Sequence, residues 1–260
     1  MLDKHQLALR SYFYSLRRGY RTKRLNRRLQ RLEGYHCVNT NALSRLVIFP
    51  NLKIGFNRIK KCANSSTLLH LAELDCGHDL SRTGDNLENI KSKILSDRLN
   101  IENHIDTIKK FDDLKWLVVV RNPYTRLLSC FLEKSNQAAI GNFNYTTIPG
   151  LDNRSREGFR TFVHYIADGA LRDNGHWDLQ INQCCFPKST YNIIAKMESL
   201  RDDLSEALKH HQGQAGILAK SLKTGIHTSE AEEPIKVTRA KNHLTEFYDR
   251  ELENLVSQIY

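Results

Sequence analysis

Apolar residues along the chain fall into two spacings, and both point to an α/β fold. Leu52, Ile54, Phe56 and Ile59 give strand character. A polar stretch follows at residues 60–67 (KKCANSST) and reads as a loop. Leu68, Leu69, Leu71 and Ala72 then predict a packed helix face, and Asp75-Cys76-Gly77 predicts its end. Further on, residues 116–120 (WLVVV) are continuously apolar, as in a strand covered on both faces of a parallel sheet. Arg121 stands at the end of that run. Pro123 opens a helix whose buried stripe is Leu127, Leu128, Phe131 and Leu132.

The rest of the chain follows the same rules. Residues 46–49 (LVIF) read as a short strand after an extended lead-in. Residues 78–113 are polar and helical in pattern, with apolar positions at Leu87, Ile90, Ile94, Ile101, Ile105 and Ile108. Residues 135–158 are rich in Gly and Asn and predict a loop over the sheet edge, either a carrier of binding residues or a plain surface insertion. Phe159, Phe162, Val163 and Ile166 return to helical spacing, and residues 191–195 (YNIIA) give another strand. Residues 205–235 read as loop. Leu244, Tyr248, Leu252, Leu255, Val256 and Ile259 predict one closing helix.

The turn before the first helix has the composition of a phosphate cradle. A strand–loop–helix turn aims several backbone N–H groups and the positive end of a helix dipole at one point. Ser65, Ser66 and Thr67 add hydroxyl donors there, and Lys61 adds a cation. The bland alternative is a solvated loop with an N-cap. The Walker pattern GxxxxGK[ST] is absent, which weighs against a nucleotide kinase-like phosphotransferase. Ligands of open α/β sheets bind at the carboxyl ends of strands, so two such units bring Lys61 and Arg121 to one rim.

These residues resemble sulfotransferases that use 3′-phosphoadenosine 5′-phosphosulfate. The similarity is greatest to the carbohydrate type that includes chondroitin, dermatan and heparan uronosyl enzymes. The family's first motif sets a Lys four positions before a Ser or Thr at a helix start, as Lys61 and Ser65 stand here. Lys60 occupies the usual Pro position, and Asn64 that of Gly, Ser or Cys. The second motif, R-x-P-x-x-R-L-x-S-x-[FY], is complete as Arg121, Pro123, Arg126, Leu127, Ser129 and Phe131. The His176-Trp177 pair, Cys184, Cys185, and Lys196, Glu198 and Leu200 also resemble the late core of that family.

The resemblance implies a P-loop-like parallel sheet flanked by helices. It implies that Lys61, Asn64, Ser65, Ser66 and Thr67 hold the 5′ side of the donor. Arg121 and Ser129 would hold its 3′-phosphate. Lys61 would also act in catalysis. An acceptor-activating base would come from the segment between the motifs, with His104, Glu102 and His78 as candidates and His104 foremost. Trp177 either lines the cleft or is a core aromatic. Arg239 or Lys236 could close on the nucleotide. No metal is required. The acceptor implied is a hydroxyl, on a glycan by the relatives that match best.

Charge divides the chain. Ten of the 39 basic residues, against two acids, lie in residues 1–35, so this segment carries most of the net +10. Arg17, Arg18, Arg21, Arg24, Arg27, Arg28 and Arg31 interleave with Tyr and Leu there. We read residues 1–35 as a basic helical arm and residues 36–260 as the sulfotransferase domain. Such an arm can meet an anionic surface or pack on its own domain. A non-catalytic binder of nucleic acid or anionic glycan through the arm is the competing function.

Six cysteines, at 37, 62, 76, 130, 184 and 185, form no CxxC pair, which argues against structural zinc. Free thiols fit a reducing compartment. Asn64-Ser65-Ser66 is a glycosylation sequon, and a glycan there would block the cradle. With no membrane-length apolar run and no leader pattern, the expected setting is cytoplasmic. Membrane association or the Golgi lumen is the alternative if an anchor precedes this chain.

Overall fold

The computed structural model describes residues 37–77, 114–209 and 239–260, with single positions at 23, 24, 27, 80, 89, 92, 94 and 95. Expectations for the basic arm, for residues 78–113 and for residues 210–238 otherwise lie outside the described residues.

Four strands build the sheet among the described residues: β1 (Leu46–Phe49), β2 (Ile54–Asn57), β3 (Lys115–Val120) and β4 (Tyr191–Lys196), in the order β1-β2-β3-β4. β2 and β3 pair in parallel, as do β3 and β4. β1 pairs antiparallel with β2. The sheet is therefore mixed, which corrects the expectation of a parallel one. The cause is the short turn at residues 50–53, because only a long crossover can return a strand in parallel. Gly55 faces Trp116 across the β2–β3 register, and a Cβ at position 55 would overlap the indole ring.

α1 (Asn64–Cys76) leaves β2 through the polar turn and starts four residues before the apolar face alone predicted. Its Leu68, Leu69, Leu71 and Ala72 are buried, and Gly77 at φ +70° caps its end by donating to Glu73 O. α2 (Pro123–Ala139) leaves β3 with Pro at N1, and the Asn122 side chain caps it by accepting from Tyr124 N and Thr125 N. The predicted stripe Leu127, Leu128, Phe131 and Leu132 is buried.

Residues 135–158 differ from the predicted loop. α2 continues to Ala139, α3 (Phe143–Thr146) follows, and α4 (Arg156–Ala167) begins inside the segment. Ser135 and Ala138 are buried, which holds the last turn of α2 in place despite its polar neighbours. After β4 comes α5 (Leu200–Ala207). The predicted closing helix is two, α6 (Leu244–Phe247) and α7 (Arg250–Ile259). Asp249 breaks them apart by turning extended and capping α7 at Leu252 N.

Two cores result. One joins the sheet, α1 and the segment from Cys184 to Phe186. The other joins α2, α4, α6 and α7 around stacked aromatics. Phe131 meets Phe159 edge-on at 5.1 Å, and Phe162 meets Trp177 at 5.4 Å. No helix among the described residues is long and apolar enough to cross a membrane.

Candidate active site

The turn at residues 60–63 lies between the end of β2 and the start of α1. Lys61 and Ala63 both adopt left-handed backbone, at φ 67° and 49°. Such residues are uncommon outside glycine and persist where their surroundings fix them. Here four side chains do so. Gln183 Oε1 accepts from Lys60 N at 3.0 Å. Arg126 Nε donates to Lys60 O at 3.1 Å. Arg121 Nη1 donates to Lys61 O at 3.2 Å. Cys62 Sγ donates to Gln180 Oε1 at 3.1 Å.

Past this turn α1 begins uncapped. Ala63 offers no side-chain acceptor, and no acid stands in the first turn. Asn64 Oδ1 and Thr67 Oγ1 are enclosed without hydrogen-bond partners, and Thr67 is only 1 % exposed. Open N–H groups and unsatisfied polar side chains at a helix start suit an anion. Ser65 and Ser66 occupy the same first turn, half-buried.

Lys61 forms an ion pair with Glu133 on α2. Lys134 Nζ donates to the other Glu133 oxygen at 2.9 Å and lies 4.5 Å from the Tyr145 ring centroid. Burial would raise the Glu133 pKa, but the Lys61 and Lys134 ammoniums outweigh it and hold it at about 2. Burial works against the charge of Lys134 too, and Glu133 outweighs it and keeps that ammonium protonated.

Arg121 sits beside this turn. Its Nε donates to Thr125 Oγ1 at 3.1 Å. Burial lowers its pKa, with Cys62 and Glu198 opposing, and it stays a cation. Arg126, from the same motif, is 1 % exposed and donates to three carbonyls, of Lys60, Asp178 and Gly175. It is a clamp that joins the turn to residues 174–178. Ser129 is buried within α2.

Three amide side chains that showed no pattern in the sequence complete the frame. Gln180 brackets the Arg121 peptide, and Gln183 holds Lys60 N while donating to Gly175 O at 2.8 Å. Asn57 is fully buried, donates to Gln183 O at 3.0 Å, and accepts from Tyr191 OH and Cys185 N. A polar residue at a strand end carries no periodic signal, so only the neighbouring His176-Trp177 pair marked this segment.

Trp177 does not line the cleft. It is 1 % exposed, and its Nε1 donates to Ala170 O at 2.9 Å inside the second core. Arg239 is exposed, at φ 44°. His104, Glu102, His78 and Lys236 lie outside the described residues. Among the described residues no group of three or more His, Cys, Asp or Glu side chains is placed to hold a metal ion.

One family model, that of the sulfotransferase family, matches residues 44–260. No curated protein and no solved structure matches the chain. The matched span takes in both motif turns, the sheet, and every helix from α1 to α7. The chain belongs to the sulfotransferase family, whose members move a sulfuryl group from a sulfate donor to a hydroxyl acceptor.

Proposed function

We propose that the protein transfers a sulfuryl group from 3′-phosphoadenosine 5′-phosphosulfate to a hydroxyl of a carbohydrate. The observation that carries this reading is the contact between the two motif turns, with Arg121 Nη1 on Lys61 O beside an uncapped helix start. One bisphosphorylated nucleotide can then touch both turns.

In this scheme the turn at residues 60–63 works as a P-loop-like cradle. The N–H groups at the start of α1, with Asn64, Ser65, Ser66 and Thr67, hold the 5′-phosphate. Arg121 holds the 3′-phosphate through charge-assisted hydrogen bonds, with Ser129 behind it. Lys61 turns from Glu133 to the oxygen that bridges phosphorus and sulfur, and stabilises the charge growing there as that bond breaks. Positioning and charge stabilisation do most of the catalytic work, as in phosphoryl transfer. The acceptor oxygen enters in line, opposite the leaving phosphate. His104 is the proton acceptor that the family pattern offers. A cytoplasmic setting remains part of this reading, on the cysteine spacing of the sequence alone.

The test is a thermal shift with adenosine 3′,5′-bisphosphate. Stabilisation is expected for the full chain, is lost in Arg121→Ala, and survives deletion of residues 1–35. Stabilisation that depends on the arm and ignores Arg121 would instead favour a non-catalytic anion binder. A screen of labelled donor against glycans, lipids and small alcohols then tests the acceptor class.

A further inference from the structure

Residues 37–39 run against residues 182–185, the stretch that carries part of the amide frame. Val38 N donates to Cys185 O at 2.8 Å, and Asn39 N reaches the same carbonyl at 3.3 Å. The Asn39 side chain donates to Asn182 O. Val38 is 55 % exposed, so apolar burial adds little to this hold. Between the two stretches the Cys37 and Cys185 sulfurs lie 3.3 Å apart.

The two thiols differ in access. Cys185 is fully buried, and its N–H meets Asn57 Oδ1 at 2.8 Å and Tyr191 OH at 3.1 Å, which fixes its backbone. Cys37 is half-buried and open to a small oxidant. The hydrogen bond it shares with Cys185 lowers its pKa and raises its thiolate fraction. Cys184 does not compete: its Sγ donates to Gln180 O at 3.6 Å, and a bridge between adjacent residues is strained.

A half-open thiol backed by a sealed one is the arrangement of an attacking and a resolving cysteine. We propose that Cys37 and Cys185 form a modification site for peroxides, where a reversible disulfide staples residues 37–39 to the frame of the cradle. Nothing in this chemistry needs the sulfuryl-transfer reading. The Cys37 thiolate attacks one peroxide oxygen, the O–O bond breaks, and hydroxide leaves, giving a sulfenic acid. The Cys185 sulfur then displaces the sulfenic oxygen, which departs as water with the Cys185 proton. The two thiols lose two electrons and two hydrogens, and one hydrogen peroxide becomes two waters. The sulfurs need to close by only about 1.3 Å to reach bonding distance. Cys37 makes that movement, because Cys185 is anchored. Asn57 holds Cys185 N–H and also donates to Gln183 O, so the staple ends on the network that grips Lys60 N.

The experiment uses the full chain, reduced, desalted, and exposed to a small excess of hydrogen peroxide. Peptide mass mapping is expected to find residues 37 and 185 joined with loss of two hydrogens. The melting temperature should rise by about 5 °C, since the link spans 148 positions of chain and restricts the unfolded state. Amide exchange at Val38 and Asn39 should slow about tenfold or more. Dithiothreitol should reverse all three changes. Cys37→Ser, with Cys37→Ala as a second variant, should show none of them, and Cys76→Ser should show all. A link to a different cysteine, a Cys37 that runs on to sulfinic acid instead, an unmoved melting temperature in the linked protein, or the same rise in the Cys37 variants overturns the proposal.

Discussion

Gln180 holds the Arg121 peptide from both sides: its Oε1 accepts from Arg121 N at 2.9 Å, and its Nε2 donates to Arg121 O at 2.8 Å. The same Oε1 takes the Cys62 thiol, so one amide fixes both motif turns relative to each other. Removing it leaves a main-chain N–H and C=O unpaired near the base of the site. Gln180→Ala is expected to cost about 1–3 kcal/mol in urea unfolding, the range for stranding a buried polar group. Bisphosphate affinity should fall about tenfold by calorimetry, because Arg121 loses its fixed aim. Intact affinity with lowered stability would confine Gln180 to folding.

In the proposed scheme Lys61 separates binding from chemistry. Its ammonium is already paired with Glu133 at rest, so its gain on binding the ground-state donor is small, and its gain on the leaving oxygen is large. For Lys61→Ala, turnover on the acceptor found by the glycan screen should drop about a hundredfold or more, with bisphosphate affinity changed by less than about tenfold. Equal losses in both would make Lys61 a simple anchor.

Glu133 sets an acid limit. Its folded pKa of about 2 lies below the ordinary value of 4.5, so its contribution to stability is present above the unfolded pKa and is lost as pH falls toward 2. At 19 % side-chain exposure the contribution is roughly 3 kcal/mol at neutral pH. Glu133→Gln should show that deficit at pH 7 in chemical unfolding, and the gap to the unaltered chain should close as pH drops below about 4. A gap that does not change with pH would assign the loss to packing.

The thiols should react unequally. Cys76 is exposed, whereas burial pushes Cys62 and Cys130 up to about 11. The Cys37 and Cys185 sulfurs share a hydrogen bond at 3.3 Å, which lowers the Cys37 pKa and raises that of Cys185. Iodoacetamide on the folded protein should therefore mark Cys76 and Cys37 before the others, and a mild oxidant should link Cys37 to Cys185 with loss of two hydrogens. Peptide mass mapping reads both. Early labelling of Cys62 or Cys130 would mean that the cores open readily.

Much of the frame could be read from the chain because its signals are local. A continuous apolar run gave β3, Pro123 opened α2, and Gly77 ended α1. The two cationic turns were visible as strand ends followed by helix starts. What escaped was non-local. The antiparallel turn into β2 changes sheet direction without changing any residue's preference. The last turn of α2 is stabilised by burial of Ser135 and Ala138, not by its Asn and Gln neighbours. Trp177 could be cleft or core by type alone, and its contact with Phe162 decides for the core. Asn57, Gln180 and Gln183 each reach partners more than fifty residues away in the chain, a relation no periodicity encodes.

The pairing of Lys61 with Glu133 also bears on which anions can settle in the cradle. Any visitor must first displace a carboxylate that is tethered, pre-aimed and seconded by Lys134. Orthophosphate or a lone sulfate ion offers one contact in exchange and has no second handle for Arg121. A nucleotide phosphorylated at both ends grips two places at once, so the second contact forms at high effective concentration. On the proposed donor reading, the resting ion pair would act as a filter against small anions, ahead of any recognition of the adenine ring.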